Sequence, residues 1–182
     1  MGFAIAVLKV IPCKPLRLLL DFYTSIFRGV PLIVLLFIAY FATPQLTGYK
    51  ITMFAASVLT LGLNGSATVS ETVRGGIEGV DRGQYDASRA LGLSYITMMS
   101  KVIIPQALRS VAPALVNEVI TVLKSSSLVA TIGLMDMMRA AQSVQAITYR
   151  AFEPFIVVAI VYYVIVMGLV AVANRLERRM RA

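Results

Sequence analysis

The 182-residue sequence has no histidine, no tryptophan, a single cysteine (Cys13) and only nine acidic residues. Without histidine, the commonest general base and the commonest metal ligand are both missing. One cysteine can form neither an internal disulfide nor a cysteine-based zinc site. Charge is scarce too: Asp, Glu, Lys and Arg make up 14% of the chain, against about 25% in soluble domains. These scarcities argue against a soluble enzyme, a disulfide scaffold and a disordered chain.

Apolar residues fill the space. They make up 58% of the sequence, and mean hydropathy is +0.81. A soluble domain this short buries only about two-thirds of its surface and could not conceal so much apolar area. The composition therefore points to a bilayer, where one helical span takes about 20 residues. Residues 29–49, 51–70, 110–135 and 154–174 read as four membrane segments of one domain covering 1–182. Residues 1–8 are apolar, too short to span, and lack the basic n-region of a signal peptide. They read as the end of a first helix whose beginning is absent. Pro12 and Pro15 are expected to break any helix that follows.

Net charge is +8, from 17 basic and nine acidic residues. Basic and aromatic residues do not interleave on a polar face, so nucleic acid is not an expected partner. Instead the charge reads as topology. Lys9, Lys14, Arg17 and Arg28, then Arg74, Arg82, Arg89, Lys101 and Arg109, then Arg175, Arg178, Arg179 and Arg181 fall on one side of the implied layout. Only Lys50, Arg139 and Arg150 fall on the other, while Lys124 lies inside a segment. Basic loops stay in the cytoplasm, so residues 71–109 and the C-terminus are expected there. The terminal arginines read as a lipid-surface anchor.

Residues 71–109 form a polar segment with enough periodicity for a short helix around residues 83–92. Asp86 lies in its first turn, where a negative charge suits the helix dipole. Gly92 lies where a helix ends in the left-handed conformation. Tyr85, Ser88 and Leu91/Gly92 are expected on one face, Asp86 and Arg89 on another. Within the membrane segments, Asn117, Glu118 and Lys124 are polar in an apolar stretch. A charge at mid-membrane costs about 2.5–3.5 kcal/mol on insertion scales, so Glu118 and Lys124 should face protein or water. They either line a solute pathway or pair with each other and fix packing. Ser125 and Ser127 suit a helix interrupted there, and Asn64 is a weaker candidate of the same kind. Glu71 and Arg74, three residues apart, read as a local ion pair. Tyr162 and Tyr163 read as helix packing.

The central segment resembles bacterial ABC importer permeases. Their cytoplasmic loop reads E-A-A, three residues, G, nine residues, I-x-L-P; here Asp86-Ala87-Ser88 is followed by Gly92, then nine residues, then Val102-Ile103-Ile104-Pro105. The polar amino acid branch is similar in further places: Phe27-Arg28-Gly29-Val30-Pro31-Leu32, Ser70-Glu71-Thr72-Val73-Arg74-Gly75-Gly76-Ile77, Pro105-Gln106-Ala107-Leu108-Arg109, Pro113-Ala114-Leu115-Val116-Asn117-Glu118 and Lys124-Ser125-Ser126-Ser127-Leu128. The resemblance implies an all-α integral membrane fold of MetI-like architecture, with four complete transmembrane helices, the end of a first, and a cytoplasmic coupling helix.

It also implies a permease subunit of an ATP-driven importer of polar amino acids in the bacterial cytoplasmic (inner) membrane. The implied partners are ABC ATPase subunits, a second permease copy or paralogue, an extracytoplasmic amino acid-binding protein and the lipid bilayer. The implied contact with the ATPase is made by Tyr85, Asp86, Ala87, Ser88, Arg89, Leu91 and Gly92, with Ala87 and Ser88 small enough for close seating. ATP and Mg2+ are then held by the partner subunits, which agrees with the lack of a G-x-x-x-x-G-K-[ST] phosphate loop in this sequence. The alternatives are the membrane component of an importer for other small polar solutes, or a truncated permease without function. An integral membrane enzyme is disfavoured: Asp81, Asp86 and Arg89 faintly suggest a phosphotransferase, but no later aspartates complete a metal-binding set. A passive channel or secondary carrier needs no coupling helix, and no inverted repeat is present.

Overall fold

The computed structural model describes residues 1–11 and 13–181, with side chains through Arg175. Pro12 and the side chains of Arg178, Arg179 and Arg181 lie outside the described residues. The described chain is helical: α1 (Gly2–Val10), α2 (Lys14–Gly29), α3 (Leu32–Phe37), α4 (Thr43–Thr47), α5 (Met53–Glu78), α6 (Arg82–Ala90), α7 (Tyr95–Met98), α8 (Ile104–Ser125), α9 (Met137–Thr148) and α10 (Phe152–Arg181). Two π-helical turns, Ile38–Ala42 and Met99–Ile103, join α3 to α4 and α7 to α8, and a 3-10 stretch, Ser126–Ile132, extends α8.

Among the described residues, three helical runs are long and apolar enough to cross a membrane: Met53–Glu78, Tyr95–Ile132 and Phe152–Arg175. The pair Lys14–Gly29 and Leu32–Thr47 passes the same test only when taken together, and it bends by 102° at its break. The fold is thus an all-α membrane architecture, but the expected boundaries shift. α5 does not stop at residue 70; it carries Glu71, Arg74 and Glu78 in regular helix. Charged residues leave the bilayer without breaking the backbone ladder, because Arg74 pairs along the helix with Glu71 and Glu78. Likewise Pro15 does not break a helix. It sits in the first turn of α2, where its missing N–H has no helical partner to lose.

Each π turn ends two residues before a proline, Ala42 before Pro44 and Ile103 before Pro105. A helix-interior proline cannot donate to the carbonyl four residues back, and its ring crowds that carbonyl. Shifting the ladder by one residue just upstream lets each helix continue through its proline. Pro105 therefore sits in the first turn of α8, inside the longer run Tyr95–Ile132.

Helix α5 is central, with α1, α2, α3 and α8 packed around it. Small residues set the approach of α1: Ala6, Ser66, Ala67 and Ser70 are buried, and a Cβ on Gly2 would fall 2.8 Å from the Ser66 carbonyl. On the other side Gly76 lies against α8, where a Cβ would collide with Val111 and reach within 3.3 Å of the Ala107 carbonyl. Helix α10 packs on α8 and α9, yet Val157, Ile160, Tyr163 and Val164 are more than half exposed, so Tyr163 does not pack within the chain. In a bilayer such a surface faces lipid or another membrane helix.

Candidate functional site: a surface helix tied to a polar cavity

Helix α6 has defined ends. The Asp81 carboxylate caps its start by accepting the Gly83 N–H at 2.8 Å. At its end Leu93 N–H donates to the Ser88 carbonyl and Gly92 N–H to the Arg89 carbonyl. This is the Schellman arrangement, and it needs a left-handed residue; Gly92 supplies it at φ +71°. Ser94 then caps α7 by accepting the Thr97 N–H.

Tyr85 and Ser88 share one face of α6, as the sequence suggests, and that face turns inward, whereas Leu91 and Gly92 depart from it. Ser88 is buried, its hydroxyl donating to the Gln84 carbonyl, so its small side chain seats α6 on its own protein and not on a partner. Leu91 does not share that inner face; it is 79% exposed. Asp86, Ala87, Arg89 and Gly92 are exposed with it, and Asp86 and Arg89 are 3.9 Å apart. Tyr85 is half-buried against a core of Ala6, Val73, Ile77, Met98, Met99, Ile103 and Ala107. Its hydroxyl donates to the Ile77 carbonyl at 2.9 Å. Burial pushes the phenol above its ordinary pKa, with Tyr95 and Glu78 adding to the rise, so it remains a donor. Gln106 of α8 donates to the Gln84 side chain at 3.1 Å. Helix α6 is thereby bonded to both α5 and α8.

The same two helices enclose a small polar cavity. Leu61, Asn64, Gly65 and Thr68 of α5 face Glu118, Thr121, Val122 and Ser125 of α8 across about 70 Å3. Both sets follow one helical stripe, spaced zero, three, four and seven residues from its first member. Of the sequence candidates, Asn64, Glu118 and Ser125 come together here. Asn117 and Lys124 are exposed and Ser127 donates to the Lys124 carbonyl; none of the three lines the cavity. The alternative of a Glu118–Lys124 pair is not realised: six residues apart on α8, they form no ion pair among the described residues. Asn64 is already engaged, its amide donating to the Phe27 carbonyl at 2.5 Å. Thr68 and Thr121 were not singled out from sequence, although their place on the two stripes was readable. A larger groove of about 550 Å3 between α9 and α10 is lined chiefly by Met137, Ala140, Ala141 and valines, which suits an apolar occupant rather than a polar solute.

Beside α6 lies a charge network that joins three helices. Lys9 Nζ is fully buried and donates to Thr24 Oγ1 at 2.7 Å and Glu71 Oε1 at 2.5 Å, and it pairs with Asp21 at 2.8 Å. Glu71 also accepts from Arg74 at 2.7 Å. The local Glu71–Arg74 pair is thus present, but it is one edge of a larger network. Lys9 is not a solvated loop charge, contrary to its place in the topology count.

Residues 1–182 match the family of binding-protein-dependent transport system inner membrane components. The chain is 43% identical over its whole length to the arginine transport system permease protein ArtQ of Bacillus subtilis (strain 168), covering 83% of that protein. It is 44% identical to the putative glutamine transport system permease protein GlnP of Rickettsia bellii (strain RML369-C), across 98% of this chain and 82% of that one. Among solved structures, an amino acid ABC transporter with histidines superposes with a TM-score of 0.92 at 42% identity, over 98% of this chain and 83% of that one. The MetNI methionine ABC transporter in an inward-facing conformation superposes at 0.82 and 22% identity, a likeness of fold.

Proposed function

The chain belongs to the binding-protein-dependent transport system inner membrane component family, as a multi-pass permease subunit of a polar amino acid ABC importer, and within that role we propose where it couples and where solute passes. Its part in import is transport, not catalysis, as for its relatives. ATPase partners and a binding protein follow from the family. We assign the ATPase contact to the exposed side of α6: Asp86, Ala87, Arg89, Leu91 and Gly92. That places α6 and the C-terminus in the cytoplasm, in agreement with the basic-residue bias. ATP and Mg2+ are held by the ATPase subunits, and a second copy or paralogue completes the membrane pore.

Solute passes along the cavity that holds Asn64, Thr68, Glu118, Thr121 and Ser125. A carboxylate with hydroxyls and an amide suits the ammonium group of an amino acid, or a cationic or amide side chain. The relatives named for arginine and glutamine transport fit that chemistry. The observation that carries the proposal is the shared pair of helices: α6 is hydrogen-bonded to α5 and α8, and these two helices form the cavity walls. A displacement of α6 by the ATPase is then passed to both walls at once.

The test is reconstitution with candidate ATPase subunits and binding protein, followed by ATP-driven uptake of a panel of amino acids. Uptake is expected in the parent and lost in Asp86→Arg and Gly92→Leu, each of which leaves the membrane helices intact. Unimpaired uptake in both variants would sink the α6 assignment.

A further inference from the structure

Helix α2 presents three separate faces. Leu16, Leu20, Tyr23, Thr24 and Phe27 are the less exposed side, and Tyr23 docks there by donating to the Leu63 carbonyl of α5 at 2.8 Å. A second stripe carries Leu18, Leu19 and Phe22, all 65–73% exposed, with Ile26 and Pro15 beside them. The third carries Lys14, Arg17, Asp21, Ser25 and Arg28, all exposed. At 100° per residue the apolar and charged stripes are adjacent and do not overlap.

This helix does not suit a span. Four of its 16 residues are charged, whereas the segment that follows, Leu32–Thr47, carries no charge, so of the two only the second suits the hydrocarbon core. It bends 102° away from the segment that follows, so it runs close to the membrane plane when that segment crosses. Asp21, the acid of the charged stripe, is engaged by Lys9 at 2.8 Å and more loosely by Arg17 at 3.7 Å, and Arg28 lies 3.9 Å from Glu71; both arginines stay at least half exposed. The stripe that remains is basic, next to an uncovered apolar stripe. An apolar face immersed beside a cationic edge is the pattern of a helix lying in an anionic lipid surface.

We infer that α2 is an interfacial helix that inserts Leu18, Leu19, Phe22 and Ile26 below the headgroups and holds anionic phospholipid phosphates on Lys14, Arg17 and Arg28. The inference rests on the membrane placement of the chain and not on the α6 or cavity assignments. α2 also meets α5 through the Lys9 network, so the lipid surface acts on the same helix that walls the cavity.

The absence of tryptophan makes the test direct. Phe22→Trp and Leu18→Trp put a single reporter on the apolar stripe, and Ser25→Trp puts one on the charged stripe. Each full-length variant is placed in nanodiscs of phosphatidylcholine and phosphatidylglycerol, with one lipid at a time brominated on its acyl chains. Emission from positions 22 and 18 should be lost in brominated discs while position 25 stays bright. Brominated phosphatidylglycerol should quench more than an equal share of brominated phosphatidylcholine. Lys14→Gln with Arg17→Gln should reduce that preference several-fold, each basic residue near an anionic surface being worth about fivefold in lipid partition. No quenching at 18 or 22 would mean that protein, such as a second copy, covers the stripe, and would overturn the inference. Equal quenching by the two lipids would overturn the anionic part of it.

Discussion

Replacing Lys9 with methionine probes the joint between α1, α2 and α5. Methionine nearly matches the lysine stem in length and removes only the ammonium group. In the parent all three ammonium protons have acceptors, in Thr24, Glu71 and Asp21. Without them Glu71, whose side chain is 14% exposed, loses its Oε1 partner and keeps Arg74 on Oε2. Breaking a buried pair by removing one member costs about 3–5 kcal/mol. The surviving Arg74 contact puts Lys9→Met at the low end, about 3 kcal/mol. For a chain of this size that corresponds to roughly 6–12 °C in the unfolding midpoint. The assay is thermal unfolding in detergent or nanodiscs at one fixed scan rate, since heating of membrane proteins is commonly irreversible and the midpoint then depends on rate. Glu71→Gln should also destabilise, because the fully buried Lys9 ammonium then keeps Asp21 as its one carboxylate partner. The double variant should cost less than the sum of the two, by about 0.5–3 kcal/mol of coupling. A Lys9→Met protein as stable as its parent, or strict additivity in the double variant, would refute the reasoning.

Three further outcomes follow from particular contacts. Gly76→Leu forces side-chain atoms into Val111 and the Ala107 carbonyl, and should destabilise by about 1–3 kcal/mol, read as a lowered unfolding midpoint; Gly75→Leu, whose Cβ meets open space, should leave it nearly unchanged. Tyr85→Phe removes the bond to the Ile77 carbonyl, a net loss of about 0.5–1.5 kcal/mol; the amount of amino acid moved per ATP hydrolysed should fall while the chain stays folded, and an unchanged ratio would show that the hydroxyl only packs. Glu118→Gln removes the cavity's charge at constant shape; uptake of a cationic amino acid should drop more than uptake of an amide one, and equal effects would place Glu118 outside the solute path.

The long helices α5 and α10 are legible in the sequence because each carries a charge-free run of about 20 residues, which matches the thickness of the hydrocarbon core. The ends of the helices are less so. Glu71, Arg74 and Glu78 look like the start of a loop, yet their spacing of three and four residues is itself a helical signal, and it marks the charged end of α5. Pro15 misleads for a similar reason: a proline is a breaker only in a helix interior, and nothing in its neighbours marks the first turn of α2. The Schellman end of α6 is readable, since a glycine after an Ala-Ser-Arg-Ala-Leu run has few other local roles. Which face of α6 turns inward is not. Ser88 and Leu91 are three residues apart and look equivalent on a helical wheel; the packing of α6 on α7 and on the π turn Met99–Ile103 decides between them. The burial of Lys9 is the extreme case, because its partner Glu71 lies 62 positions away and no local pattern pairs them.

Two bonds from α6 have a mechanical consequence that one would not. Held only to α5 by Tyr85, α6 could drag one cavity wall past the other and leave the opposite wall in place. Bonded also to α8 through Gln84 and Gln106, it reaches both walls, and the two helices approach closely at Gly76 near that end. In the proposed coupling, the wall-to-wall distance changes mainly at the far end, where Asn64 and Glu118 line the cavity. Gly65 bears on that freedom: a Cβ there would sit 3.3 Å from Val122, so the helices are closely packed but not fused at cavity level. In the proposed coupling, a close joint at the α6 end and a looser contact at the cavity turn a small displacement of α6 into a larger opening around the polar stripe.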